Sequence, residues 1–437
     1  MNKALTLLVA VAVIAVAAGG IVAYQSLTGG GSAAAASDPS RASGTIVVDW
    51  NRQLVRIVNT PGAQPATVHP TRTFAILQAA VYDAVVSITH EDAPYLFSVQ
   101  APPGARADAA AAEAGRDTLV ALYPAQQPAL DQQLAAELSA IPDGAAKQAG
   151  IRTGALAARL MLAVRSDDGA GAPQPPVPSP TKPGDYRPTP PANAPAVFTQ
   201  WPAVTPFVLD AADQFRPTAP PDVASAAYAK DANEVKSLGR DSSTARTADQ
   251  TVTAKFWPGP IWVQWNEIAE TSTSNHHLDL ERSARLFAVM DLAFADAVIA
   301  FYDAKYHYLR WRPISALRAA DTGNPDVVGD PTWTPLLATA PDPAYPGAHS
   351  TISAAGAAVL DRFFGKHDRI QVRSDALPGV VRSFDGYDAA ASEAGLSRIY
   401  GGVHFRSDHT AGLELGQKVA GFVLKESTTP GFGLEGR

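Results

Sequence analysis

The sequence predicts an all-α protein of two helical bundles, and three observations carry that expectation. Apolar residues recur every three or four positions through most of the chain, strand-like alternation is weak, and one proline-dense stretch separates two helical halves. In the first half, Phe74, Leu77, Val81, Val85 and Ile88 lay a single stripe along a helix from Thr71 to Ile88. Ala-rich helices follow at about Ala107 to Leu122, Ala129 to Ala140 and Ala145 to Val164, joined by short turns that imply antiparallel packing. From Gly169 to Pro221 the paired prolines Pro175-Pro176, Pro190-Pro191 and Pro220-Pro221 exclude regular helix, while Phe198, Trp201 and Phe207 argue that this stretch packs onto the protein. The second half predicts helices at Val223 to Leu238, Ser243 to Phe256, about Leu278 to Leu309, His349 to Phe364, Ala389 to Tyr400 and Asp408 to Glu426. Between Gln371 and Val381 there is some strand character, interrupted by Leu377-Pro378-Gly379. No internal sequence repeat stands out.

The amino terminus, Met1-Asn2-Lys3 followed by an apolar run from Ala4 to Tyr24 and then Ala34-Ala35-Ala36, reads as a secretory segment. The same run is long enough to stay as an uncleaved membrane anchor. The expected organisation is therefore 1–36 as signal peptide or anchor, 37–168 as the first bundle, 169–221 as the connecting segment and 222–437 as the second bundle. The protein is expected to be exported, secreted or held at the cell envelope.

Composition narrows the chemistry. A chain of 437 residues, 46% hydrophobic, buries a sizeable core without a metal or disulfide staple. Zero Cys and nine scattered His argue against structural zinc. A net charge of −7 without a basic stripe argues against nucleic acid as a partner. Against that acidic background, three small constellations stand out.

Lys305 and Arg312 lie nearly two helical turns apart and are expected to project from one face, with Pro313 ending the helix and freeing the Arg312 side chain. Pro346-Gly347-Ala348-His349 opens a helix, whose first-turn amides and dipole suit an anion, with His349 beside it. Arg398 and His404 are six apart, and Gly401-Gly402 between them breaks the helix so that the two can converge. Taken singly, each is an ordinary helix end, turn or cap. In this order they supply the cations, histidines and free amides that a tetrahedral oxyanion needs.

On these residues the chain resembles the vanadium-dependent haloperoxidase and type 2 phosphatidic-acid phosphatase superfamily, and within it the bacterial haloperoxidase-like branch. That superfamily's pattern is K-x6-R-P, P-S-G-H and S-R-x5-H. The first and third motifs are matched in full, the second only in Pro346 and His349. Asp49-Trp50-Asn51, Gln78 to Ala84, Phe256-Trp257 with Trp265-Asn266, Ala295-Asp296-Ala297 and Gly401 to Phe405 extend the likeness over nearly the whole mature chain.

The resemblance implies an anion site in the second bundle. Lys305, Arg312 and Arg398 would hold the oxyanion, with backbone donors at Gly347 and Ala348. His404 would be the vanadium ligand or, in a phosphatase, the phosphohistidine nucleophile, and His349 the general acid and base. Asp296 and Asp408 are candidates to orient those groups. The implied activity uses bound vanadate, with no haem, flavin or zinc, and takes hydrogen peroxide, halide and an organic acceptor. The alternatives are an acid phosphatase, with phosphate in the same pocket and soluble phosphate esters as substrates, and a non-catalytic oxyanion-binding protein. The later helices carry too many charges to span a bilayer, which leaves the amino terminus as the one expected membrane contact, and an oligomer is compatible with all three readings. Two departures are expected to matter. Gly347 replaces the family's Ser and removes a hydroxyl from the anion, and Asp342 places a carboxylate where relatives carry an aromatic or His that tunes halide choice.

Overall fold

The computed structural model describes residues 44–178 and 181–429. The expected signal or anchor, residues 1–36, lies outside them. Thirteen α-helices and one two-stranded hairpin make up the regular structure of the described residues.

The first group contains α1 (Thr45–Asn59), α2 (Pro70–Thr89), α3 (Ala107–Leu122), α4 (Gln127–Ser139) and α5 (Ala145–Val164). Local signals set their ends. The His69 side chain accepts from the Thr71 amide, Pro70 occupies the first helical position, and His90 closes α2 in the left-handed conformation at φ 55°.

The second group runs through α6 (Ala226–Leu238), α7 (Ala248–Phe256), α8 (Ile261–Asn275), α9 (Leu280–Tyr308) and the single turn α10 (Pro313–Leu317). It continues with α11 (Ala348–Phe364), the hairpin β1 (Ile370–Arg373) and β2 (Val381–Phe384), α12 (Tyr387–Tyr400) and α13 (Arg406–Glu426). Leu377-Pro378-Gly379 proves to be the hairpin's loop, and Ile370 pairs with Phe384 across the strands.

Helix α9 is the common wall. Its 29 residues are buried on nearly every side, from Leu280 to Lys305, because α2 covers one face while α11 and α13 cover another. One continuous core therefore links both groups, with Trp50, Leu77 and Tyr82 at one end and Val359, Leu415 and Val419 at the other. A smaller cluster of Tyr228, Trp311, Ile314, Trp333 and Phe405 lies beneath the ends of α9 and α12.

The proline-rich stretch has no helix beyond one 3-10 turn at Trp201–Ala203, and it is pinned down firmly. The Asp296 carboxylate accepts from the amides of Phe207, Val208 and Leu209 at 2.6, 2.7 and 2.8 Å. Arg165 donates to the Thr205 and Pro206 carbonyls and lies 3.7 Å over the Phe207 ring. The first group repeats this device, since Asp83 on α2 accepts from the amides of Tyr95, Leu96 and Phe97. Asp83-Ala84-Val85-Val86 and Asp296-Ala297-Val298-Ile299 are thus one local motif used twice.

Helices α11 and α13 cross unusually closely, and that contact brings the His404 turn to the start of α11. Gly412 and Gly416 permit it: a Cβ on Gly412 would lie 2.6 Å from the Gly347 carbonyl oxygen. Gly412→Ala is expected to push the helices apart and to cost about 1–3 kcal/mol as an overpacked contact. A lower urea midpoint reports the loss, and an unchanged midpoint would mean that the crossing is loose.

Candidate active site

Five chain breaks converge on one buried point. Helix α9 stops at Tyr308, and Leu309 turns the chain in the left-handed conformation at φ 48°. Arg312 is then extended, capping α10 with Pro313 behind it. The sequence expectation that Pro313 frees Arg312 agrees with this geometry, but Lys305 and Arg312 do not meet as two residues of one helical face. Arg312 lies beyond the helix and folds back.

On the opposite side, α12 ends at Tyr400, Gly402 takes φ 78°, and His404 sits in the turn before α13. Only a residue that tolerates positive φ fits at 402, where the chain also presses on Gly239. Arg398 and His404 therefore approach the same centre as Lys305 and Arg312.

The protonation state of His404 follows from its neighbours. Arg312 Nη1, which can only donate, lies 2.9 Å from His404 Nε2, and Asp408 Oδ2 lies 3.0 Å from Nδ1. The proton therefore sits on Nδ1, and the Nε2 lone pair accepts from Arg312 inside the cluster. Burial, and then the Arg312, Lys305 and Arg398 charges, hold the imidazole well below its usual pKa, so it stays neutral. Asp408 also accepts from the Phe405 amide at 2.8 Å, capping α13 from inside its first turn, and burial raises its pKa to about 7.

His349 stands in the first turn of α11. Its Nε2 is 3.0 Å from the Trp257 carbonyl, which requires a proton on Nε2 and makes Nδ1 the ring's lone-pair nitrogen. Burial and the nearby Arg398 charge depress its pKa as well. Gly347 caps α11 without a side-chain bond. Its own amide is already donated to the Asp408 carbonyl at 2.9 Å, so the backbone contribution expected at Gly347 falls to Ala348 and its successors. First-turn amides have no acceptor inside their helix.

The cations are not equivalent. Lys305 is fully buried and directs its ammonium to Asp342 at 3.2 Å and to the Pro343 and Ala344 carbonyls. Burial lowers its pKa to about 8 against the opposing pull of Asp342. Arg312 gives Nε to the Asp342 carbonyl at 2.8 Å, Nη2 to the Asp342 carboxylate, and Nη1 to the Val403 carbonyl and His404. Arg398 differs from both. Its Nε and Nη1 are buried with no partner, while burial and then the Arg312 charge lower its pKa to about 10.

Buried donors without acceptors on a cation are costly, and here they sit beside free helix amides and a neutral imidazole. That donor set fits a tetrahedral oxyanion such as vanadate or phosphate.

Two residues are placed differently from the sequence reading. Asp296 does not orient a site cation; its carboxylate is spent on the Phe207 to Leu209 amides, as burial on α9 beneath the proline-rich stretch dictates. Asp342, read only as a halide-tuning position, is a buried ion-pair partner of Lys305 and Arg312. A wall of rings that the sequence reading passed over also lies nearby: His69 packs on Trp262, Phe198 and Tyr302 at 4.5, 5.2 and 6.1 Å between centroids. The field of Asp342 reaches both His69 and Tyr302.

Fold and site together define a mainly helical protein with a buried cluster of cations around a neutral imidazole. Residues 285–430 match the family model for the VCPO second helical-bundle domain. The vanadium chloroperoxidase of Curvularia inaequalis is 30% identical over a stretch covering 33% of this chain, and that stretch spans about a third of the relative's own length, 31%. In fold, the chain is similar to the crystal structure of the first bacterial vanadium-dependent iodoperoxidase, with TM-score 0.75 and 23% identity over 89% of this chain and 97% of that one. A holo-type bacterial vanadium-dependent chloroperoxidase gives TM-score 0.63 and 16% identity, over 85% of this chain and 96% of that one. These similarities show the resemblance to the vanadium haloperoxidase superfamily, carried in sequence by the second bundle and in fold by most of the chain.

Proposed function

We propose that this protein is an exported vanadium-dependent haloperoxidase-like enzyme, working on hydrogen peroxide, halide and an organic acceptor. The observation that carries the reading is the neutral His404, its Nε2 lone pair aimed at a cluster where Arg398 holds two unpartnered donors. When bound, vanadate supplies a Lewis-acid centre that makes a peroxide oxygen electrophilic toward halide. Arg398, Arg312 and the first-turn amides of α11 would hold its oxygens, and His404 Nε2, released from Arg312 Nη1, would ligate the metal. Asp408 keeps the Nδ1 proton in place, and His349 Nδ1 is the base within the same pocket that can take a proton from peroxide.

A second reading is favoured by one observation. Asp342 puts a buried carboxylate into the cluster, a poor neighbour for halide, whereas a phosphate ester hydrolysed through His404 needs no halide. No helix among the described residues is long and apolar enough to cross a membrane. Residues 1–36 would direct export, leaving the protein secreted or at the cell envelope.

Purified apo-protein given orthovanadate, peroxide and bromide or chloride, with monochlorodimedone as acceptor, is expected to halogenate only when vanadate is present. Hydrolysis of p-nitrophenyl phosphate that vanadate inhibits, without halogenation, would transfer the assignment to the phosphatase.

A further inference from the structure

Among the described residues, Asp342 is the carboxylate that pairs with two of the site's cations. It is 5% exposed, lies 3.2 Å from Lys305 Nζ, and is bonded by Arg312 through both its carboxylate and its own carbonyl. The Pro341 carbonyl accepts from the Val197 amide, and Pro343 follows directly, so the segment bearing Asp342 is anchored on both sides. Burial would raise this carboxyl, but Lys305 and Arg312 outweigh it and keep the pKa below the usual carboxylate value. Donor accounting sharpens the point. All three Lys305 N–H groups face Asp342, Pro343 and Ala344, and Arg312 has one Nη2 hydrogen left over. An anion entering the cluster must therefore lie beside a fixed negative oxygen, with Arg398 as its freest cation.

Resting on the reading of this cluster as an oxyanion site, we propose that Asp342 makes the site select oxyanions that still carry a proton, such as hydrogen vanadate and hydrogen phosphate, over fully ionised ones such as sulfate and tungstate. A protonated oxygen donates its O–H to Asp342 and turns the contact into a charge-assisted hydrogen bond. A proton-free oxyanion of the same shape has no hydrogen to place between its oxygen and the Asp342 carboxylate, and the resulting like-charge contact is expected to lower affinity about 100-fold.

Isothermal titration of the purified protein near neutral pH with orthovanadate, inorganic phosphate, sulfate and tungstate tests this. Wild type is expected to bind the first two at least about 100-fold more tightly than the last two, and Asp342→Asn to shrink that ratio below about tenfold, chiefly by gaining sulfate and tungstate. Wild type that binds phosphate and sulfate alike keeps the oxyanion site and overturns the selectivity, as does a folded Asp342→Asn with an unchanged ratio. Wild type that binds none of the four overturns the oxyanion site and the selectivity with it. Because the wild-type ratio needs no variant, misfolding of Asp342→Asn, checked by circular dichroism, leaves the decision intact.

Discussion

His404→Ala is expected to lower turnover by on the order of 10³-fold or more, in whichever of the two reactions the enzyme performs. The Nε2 lone pair is the one the turn before α13 holds among Arg312, Lys305 and Arg398, and the other two histidines are held elsewhere: His349 by the Trp257 carbonyl in the first turn of α11, and His409 through Nδ1 by the Ser350 hydroxyl. Anion binding should survive better than turnover, because Lys305, Arg312, Arg398 and the α11 amides all remain. A dissociation constant for inorganic phosphate within about tenfold of wild type, beside the collapse in rate, separates loss of the reacting group from loss of the pocket. Asp408→Asn should give a milder effect of about 10- to 100-fold, since it disturbs the tautomer and leaves the ring in place. A His404→Ala enzyme that keeps a tenth of its turnover removes His404 from the reaction.

Most of the helices were legible in the sequence because a buried stripe has a period. The expected limits at Ala107 to Leu122 and Ala145 to Val164 coincide with α3 and α5, and those of α2, α9, α11 and α12 fall within about two residues. Helix α8 was missed for a propensity reason. It opens after Pro258-Gly259-Pro260 and ends in Thr271-Ser272-Thr273-Ser274-Asn275, a composition that reads as loop until Trp265 and Ile268 are packed by tertiary contacts. Helix α1 mixes β-branched and polar residues, and its stripe appears only once Val47, Trp50, Leu54 and Ile57 face the core.

Within the site, the motif residues could be read from spacing because each sits at a helix end marked by Pro or Gly. Asp342 could not be assigned its partners that way. Its ion pairs cross 37 and 30 positions of sequence, and no local rule says that a carboxylate between two prolines will turn toward Lys305 and Arg312. The Gly347 departure also weighs differently in three dimensions. A Cβ there would lie 3.2 Å from the Asp408 carbonyl oxygen, so a side chain at 347 would press on the first turn of α13 as well as reach the anion.

Asp296→Ala is expected to produce the largest loss of stability among single changes outside the site, about 3–5 kcal/mol. The carboxylate is fully buried, and burial raises its pKa while the three amide bonds and Arg165 oppose that rise. Truncation removes three short hydrogen bonds to a charged group and opens a gap between α9 and the Phe207 to Leu209 backbone. The net loss should stay below the sum of three such bonds, because the substitution also removes the cost of burying the carboxylate itself. Chemical denaturation provides the measurement, and a loss under about 1 kcal/mol would show that Arg165 holds the segment by itself. The companion variant Asp83→Ala, which cuts the matching bonds to Tyr95, Leu96 and Phe97, should cost a similar amount. If the two costs match while vanadate affinity per folded molecule stays within about twofold in both, then Asp296 acts as a clamp repeated in each helical group and not as a partner of the oxyanion cluster.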